Sequence, residues 1–367
     1  MGLFHLKLAN TNWYCTYMNI YSHKITALLL FFLGMANAVM GLQSDSTNSV
    51  NQLSVADSLS KSVVYLPQSK FMYSTDRRYM IDGSLPMVNT KIKPVPAAIA
   101  GGLYFGTLIV LHQSQKNAWW SGTRRSFHFQ EDWTSALQVD KAGHAFGTFL
   151  MSYFITEGLT LSGFGWDAAN IWGSALGLGY QTYVEVEDGF AKDWGFSPSD
   201  FYFDAMGSIF FLAQHYVPVL QYVTPKWQFV PSEWTGKGVI GRPRTFLDDY
   251  NSSTFWWSVD VYNLLPKNQQ KYWLPYLNVA IGYGGDDIGV IADPNGPPDQ
   301  LSVRRYIVGL DINLTRLIPE LGGGTDWWIK QTFNYIKLPM PAVEFSKGNA
   351  KFYLLYPFRI NLGAFHL

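Results

Sequence analysis

The sequence predicts an α+β protein: a four-helix apolar bundle over residues 63–222, then an antiparallel β-rich C-terminal region over residues 223–367. Two textures predict it. Up to about residue 222 the apolar residues fall in long, weakly charged segments of helical length. Beyond about Lys226 they alternate with polar residues at period two, between clusters of Gly, Pro, Asn and Asp. A third observation ties two of the helices together. Asp140 and His144 in QVDKAGHAFGTF, and Asp200 and Asp204 in GFSPSDFYFDAMGS, are each spaced four residues apart. On helices each pair shares one face, and the two faces can meet across a common core.

Ahead of the bundle, His23 and Lys24 precede an apolar run from Ile25 to Met35, and Ala36-Asn37-Ala38 supplies the small residues of a cleavage site. Residues 1–38 are therefore expected to be a signal peptide cut after Ala38. Met18 is an alternative start, because residues 1–17 stand ahead of this unit. Residues 39–62, rich in Ser, Asn, Gln and Asp, read as a flexible tether. The single cysteine, Cys15, precedes the apolar run, so the mature chain would hold no disulfide, thiolate metal site or cysteine nucleophile.

The first helix is expected in VPAAIAGGLYFGTLIVL, Val95 to Leu111, an uncharged stretch between Pro94 and His112. Its length approaches the ~20 residues of a membrane span. A second helix is expected near Ser135 to Leu161. A third, Trp166 to Val184, contains Gly173-Ser-Ala-Leu-Gly177, a small-xxx-small spacing that lets helices approach closely. The fourth begins at Ser197-Pro198, an N-cap with proline at the first helical position, and Asp200 stands third in the manner of a capping box. It is expected to run to about His215, before Pro218. The strands are read from TFWWSVDVYNLL, YLNVAIGYGG, VRRYIVGLDINL, AVEFS and KFYLLYPFRINLGAF, with turns at Gly284 to Asp287 and at Asp293 to Asp299. Five or six strands suit a sheet covering the bundle, whereas a closed outer-membrane barrel needs at least about eight.

Composition narrows the function. Charged residues are 15% of the chain, below the roughly 25% of an average globular domain, and Trp, Tyr and Phe are 17%, which suits a chain that touches lipid. With 27 basic and 27 acidic residues and no basic block, nucleic acid is not an expected partner. Gly101 to Gly106 has glycine spacing vaguely like a nucleotide loop, but inside an apolar helix, so no nucleotide is expected either.

The residues that carry chemistry are Asp140, Lys141, His144, Glu185, Asp188, Asp200 and Asp204, with Glu187 beside them. Asp204 is the sharpest, one turn inside an apolar helix beside Gly207, Ile209 and Phe210, where an unpaired carboxylate would cost several kcal/mol. If the third helix ends near Val184, Glu185, Glu187 and Asp188 sit where the helix dipole disfavours negative charge. Lys141, an imidazolium at His144 or a divalent cation could compensate. Three uses follow. The residues form a polar lock between helices, a metal-assisted hydrolytic or phosphate-handling site with His144 as general base and Asp140 and Asp204 as catalytic partners or ligands, or a specific lipid- or glycan-binding site.

These motifs, Asp140-Lys141-x-x-His144, the glycine-rich third segment, Glu185-x-x-Asp188 and Ser197-x-x-Asp200-x-x-x-Asp204-x-x-Gly207, resemble the YfiM-type family of predicted periplasmic lipoproteins. More distantly they are similar to VanZ-like membrane proteins. The likeness covers roughly residues 130 to 215, and the family is uncharacterised, so it implies an envelope location and a helical core but no reaction. Short members carry a lipid-modified cysteine after the signal; this chain has none there, so attachment would rest on the helices or the C-terminal half. The expectation is an exported envelope protein on the periplasmic side, membrane-associated, at the outer rather than the inner membrane. Its role would be structural or interactive, with membrane lipid or an envelope protein as partner. The alternatives are a metal-assisted hydrolase of a lipid or cell-wall phosphate, and a component associated with an outer-membrane barrel; a divalent metal is the one cofactor considered.

Overall fold

Among the described residues, four α-helices precede the sheet: α1 Pro94–Ala118, α2 Val139–Leu161, α3 Trp166–Phe190 and α4 Pro198–Tyr216. The computed structural model describes residues 64–66, 85–235, 246–289, 301–319, 323–359, 361–362 and 365–366. The expected signal peptide (1–38), the tether (39–62) and the turn at Asp293 to Asp299 lie outside the described residues.

Helices α2, α3 and α4 pack on one another, and small residues set their separation. A Cβ on Gly177 would lie 2.5 Å from Ser152 Oγ, and one on Gly207 would lie 2.1 Å from the Ala145 carbonyl oxygen, so only glycine admits these crossings. Gly163, in the four-residue link from α2 to α3, has φ +91°, a region that glycine enters without steric cost. Helix α1 flanks this trio. Its Leu108 and Leu111 pack against Trp120, Tyr180 and Val184, while Phe105, Ile109 and Val110 stay exposed. By length and composition α1 could cross a membrane.

The expected end of the third helix near Val184 is corrected: α3 continues to Phe190. Its late acids find partners outside the helix, Trp120 Nε1 donating to Asp188 and Arg124 Nη1 to Glu187, which offsets the unfavourable dipole. Helix α4 starts as its sequence indicates, the Ser197 hydroxyl accepting from the Asp200 amide.

The C-terminal part is one antiparallel sheet of six strands in sequential order: β1 Val223–Phe229, β2 Ser253–Val259, β3 Leu277–Asp286, β4 Val303–Ile312, β5 Ala342–Ser346 and β6 Asn349–Tyr353. Three expected bounds shift. Strand β2 stops at Val259 because Asp260 caps a helical turn, Val261–Leu264, by accepting from the Asn263 amide. Strand β3 runs through Gly284 and Gly285, and the turn begins at Asp287 with φ 56°. Strand β6 ends at Tyr353, and the residues beyond supply a two-residue pair, β7 Asn361–Leu362 and β8 Phe365–His366. Helix α5, Gly323–Asn334, and strand β1 were not anticipated. The segment after α5 seals the outer edge of β1: Trp227 donates to the Tyr335 carbonyl and Lys337 to the Trp227 carbonyl, each at 2.9 Å.

At its β1–β3 end, the face of the sheet that carries Phe255 and Trp257 lies on the helices. Phe146 of α2 meets Phe255 at 5.9 Å between ring centroids, and Phe210 of α4 meets Trp257 at 4.9 Å. The sheet also grips the entry to α2, where Ala136, Leu137 and Gln138 all have positive φ. Three non-glycine residues in that region cost about 1–2 kcal/mol each. Tyr283 donates to the Leu137 carbonyl and Arg304 to Gln138 Oε1, and these bonds hold the strained entry in place immediately before Asp140.

Candidate functional site

Helix periodicity puts Asp140, Lys141 and His144 at the start of α2, and the four-residue spacing of Asp200 and Asp204 puts both on the facing side of α4. They meet. Lys141 has no exposed surface; its Nζ donates to Asp132 Oδ1 at 2.5 Å and Asp140 Oδ2 at 3.1 Å, and pairs with Asp200 Oδ1 at 2.6 Å. His144 Nδ1 lies 3.1 Å from Asp204 Oδ1, an oxygen that also accepts from Thr148 Oγ1 at 2.9 Å and Gln181 Nε2 at 3.2 Å. The other ring nitrogen, Nε2, faces Asp140 at 3.7 Å and Asp200 at 3.6 Å. Glu185 of α3 approaches His144 Nδ1 to 3.8 Å with one oxygen and accepts from the Ser197 amide with the other. The reciprocal half of the expected capping box is thus taken over by Glu185, and Asp200 is released toward Lys141.

Asp188 stands to one side, bound to the Trp120 indole, and Glu187 points away to Arg124. The sequence did not single out four contributors. Asp132 anchors Lys141 and the Ser197 and Ser199 hydroxyls, and the hydroxyl of Tyr250, in the turn before β2, donates to Asp140 Oδ1 at 2.5 Å. Thr148 and Gln181 complete the set around Asp204. Asp132 sat visibly in FHFQEDW, nine residues before Lys141, but a loop acid carries no periodicity to flag it. Tyr250 is 110 residues from Asp140, a pairing that only the fold creates.

The acids outnumber the cations. Burial is the largest influence on Glu185 and pushes its carboxyl up to about 9; Asp200, Asp188 and Asp204 add to this and His144 opposes it. Burial likewise raises Asp188 to about 7, against the Trp120 bond, and Asp200 to about 6, against His144. For Asp140 burial acts upward, but His144 and Lys141, with the Tyr250 hydroxyl, together hold it below the ordinary carboxylate value. Burial lowers His144, yet Asp204, Asp140 and Asp200 outweigh it and keep the ring protonated well above its ordinary range. Asp140 and its neighbours therefore favour the charged forms of His144 and Lys141, and burial favours the protonated form of Glu185.

Among the described residues, two sets of ligand atoms converge within 4.8 Å: Asp140, His144 and Asp200, and His144, Glu185 and Asp204. A divalent ion there would displace the protons now shared by these groups. Within the second set, the buried Asp204 Oδ2 has no hydrogen-bond partner and could take such an ion. The cleft lined by Phe149, Trp166, Asn170, Phe211 and Gln331 has none of the cluster residues in its wall.

Residues 128–214 match the family described as predicted periplasmic lipoprotein (DUF2279). That stretch holds Asp132, Asp140, Lys141, His144, Glu185, Asp188, Asp200 and Asp204, while Tyr250 and the sheet lie outside it. The description agrees with an envelope location. No curated protein matches the chain, and neither does any solved structure.

Proposed function

We propose that this chain is an exported, membrane-associated envelope protein with a structural or interaction role, in which the polar cluster is a lock joining α2, α3, α4 and the Tyr250 segment. The observation that carries this is Lys141: a fully buried ammonium held by three carboxylates from the Asp132 loop, α2 and α4. Such a group holds three segments at fixed distances and leaves its own donors to no ligand. The uncovered apolar side of α1 supports membrane association, and the motif likeness to YfiM-type lipoproteins supports the periplasmic side. The β-rich half favours the outer membrane.

A second reading rests on the partnerless Asp204 oxygen beside His144 and Glu185: a metal-assisted hydrolase of a lipid or cell-wall phosphate, with the ion held by Asp204, Glu185 and His144. Metal analysis of the purified full-length protein, beside His144→Ala and Asp204→Asn, separates the two. The lock gives wild type without stoichiometric metal and both variants with a clearly lower Tm. Stoichiometric metal in wild type, lost from two variants that keep their fold, would favour the hydrolase and overturn the lock.

A further inference from the structure

The sheet is built inside out for a protein in water. Its inner face carries the charges: Lys226 pairs with Asp311 at 2.6 Å, and Arg305 donates to the Tyr356 hydroxyl, which donates to Glu344, all of them buried. On the other face, which α2 and α4 meet at Phe255 and Trp257, the residues Trp257, Ile281, Val308, Val343 and Phe352 are direct cross-strand partners, an apolar row over five strands from β2 to β6. Trp257 is 42%, Ile281 57%, Val308 46% and Phe352 53% exposed. The next row, Phe255, Tyr283, Tyr306, Phe345 and Ala350, is of the same character, with Tyr306 and Phe345 also exposed. Where one face of an antiparallel sheet meets water, that face is normally the polar one; charges inside and an apolar band outside are what a sheet against lipid shows.

We infer that the part of this face left uncovered by α2 and α4, from Ile281 to Phe352, beds into the hydrocarbon of a bilayer. The inference rests on the membrane association proposed above and assigns it a surface. Protein interfaces carry about one hydrogen bond per 100–200 Å² and a polar rim. Neither row offers a side-chain donor or acceptor apart from the indole of Trp257 and the hydroxyls of Tyr283 and Tyr306, and Tyr283 already spends its hydroxyl on Leu137. The charged residue of β4 on this side, Arg304, sits near the strand end and is bound to Gln138. The surface is also continuous. Trp257 packs on Phe210, and α4 extends the apolar exposure through Met206 and Ile209.

The test uses full-length protein with Cys15 replaced by Ser, carrying a nitroxide at Ile281→Cys or Val308→Cys, mixed with phosphatidylethanolamine and phosphatidylglycerol vesicles. The expected result is flotation with the vesicles, and labels open to oxygen but closed to a water-soluble nickel chelate. Labels open to the chelate, or closed to both reagents because a second copy or another protein covers them, overturn the inference. If the protein floats in either of those cases, membrane association survives and only the assignment of the surface falls; failure to float removes both. Independently, the pair Ile281→Glu and Val308→Glu lowers the floating fraction at least about tenfold with the circular dichroism spectrum unchanged. Undiminished flotation of that folded variant also overturns the inference.

Discussion

Lys141 shows how single residues hold this site. Three carboxylates surround an ammonium with no access to water, so removing the cation leaves the buried Asp140 and Asp200 and the half-buried Asp132 facing one another. Breaking a buried pair from one side costs about 3–5 kcal/mol, and Lys141→Met should lose at least that in urea unfolding at neutral pH. A loss under about 1 kcal/mol would mean that the lock does not bear on stability. Glu185 adds a pH dependence. Its carboxyl is raised from the ordinary value to about 9, so the fold favours the protonated form. That contribution is complete below about pH 4.5 and is lost as pH rises toward 9. His144, also raised, acts in the same direction: its contribution is present below its ordinary value of 6.5 and is lost above it. The Tm should therefore fall between about pH 5 and pH 9, and Glu185→Gln should flatten the fall. A wild-type Tm constant or rising over that interval, or an equal slope in the variant, would contradict the assignment.

Helices meet here through missing side chains. A Cβ on Gly207 would lie 2.1 Å from the Ala145 carbonyl oxygen, and that backbone cannot move aside without shifting α2 and with it Asp140 and His144. Overpacking of this kind costs typically 1–3 kcal/mol, so Gly207→Ala should lower the urea midpoint and weaken the lock together. Gly102 on α1 is the control, with nothing within 4 Å of the added atom. Gly102→Ala should be neutral or stabilising by up to about 1 kcal/mol, because it removes backbone freedom from the unfolded chain without a clash. A Gly207→Ala variant as stable as Gly102→Ala would show that the crossing tolerates a side chain there.

Across the whole molecule, helices and sheet are joined by polar contacts as well as by aromatic rings. Tyr250 reaches Asp140, Tyr283 reaches Leu137 and Arg304 reaches Gln138, so the sheet holds the residues that open α2. If the two parts unfold together, Tyr250→Phe should remove about 1.5–3 kcal/mol, the value of a hydrogen bond to a charged acceptor, from a single transition. Separate transitions for far-UV and tryptophan signals in wild type would mean that the sheet does not stabilise the cluster.

The chain's own sequence determined where α1 to α4 lie and which polar residues share their faces, because spacing of four and the Ser197-Pro198 start are local properties. It also showed the alternating strands of the sheet from β2 onward, but not β1. It could not show that α3 runs past its acids to Phe190, since that end depends on Trp120 and Arg124 arriving from another segment. Nor could it single out Asp132 and Tyr250, whose distances to the site are set by folding and not by period. Which side of the sheet turns outward was likewise a tertiary decision. Alternation says that two faces differ, and only the packing of Lys226, Asp311, Arg305 and Glu344 against one another showed that the charges are inside.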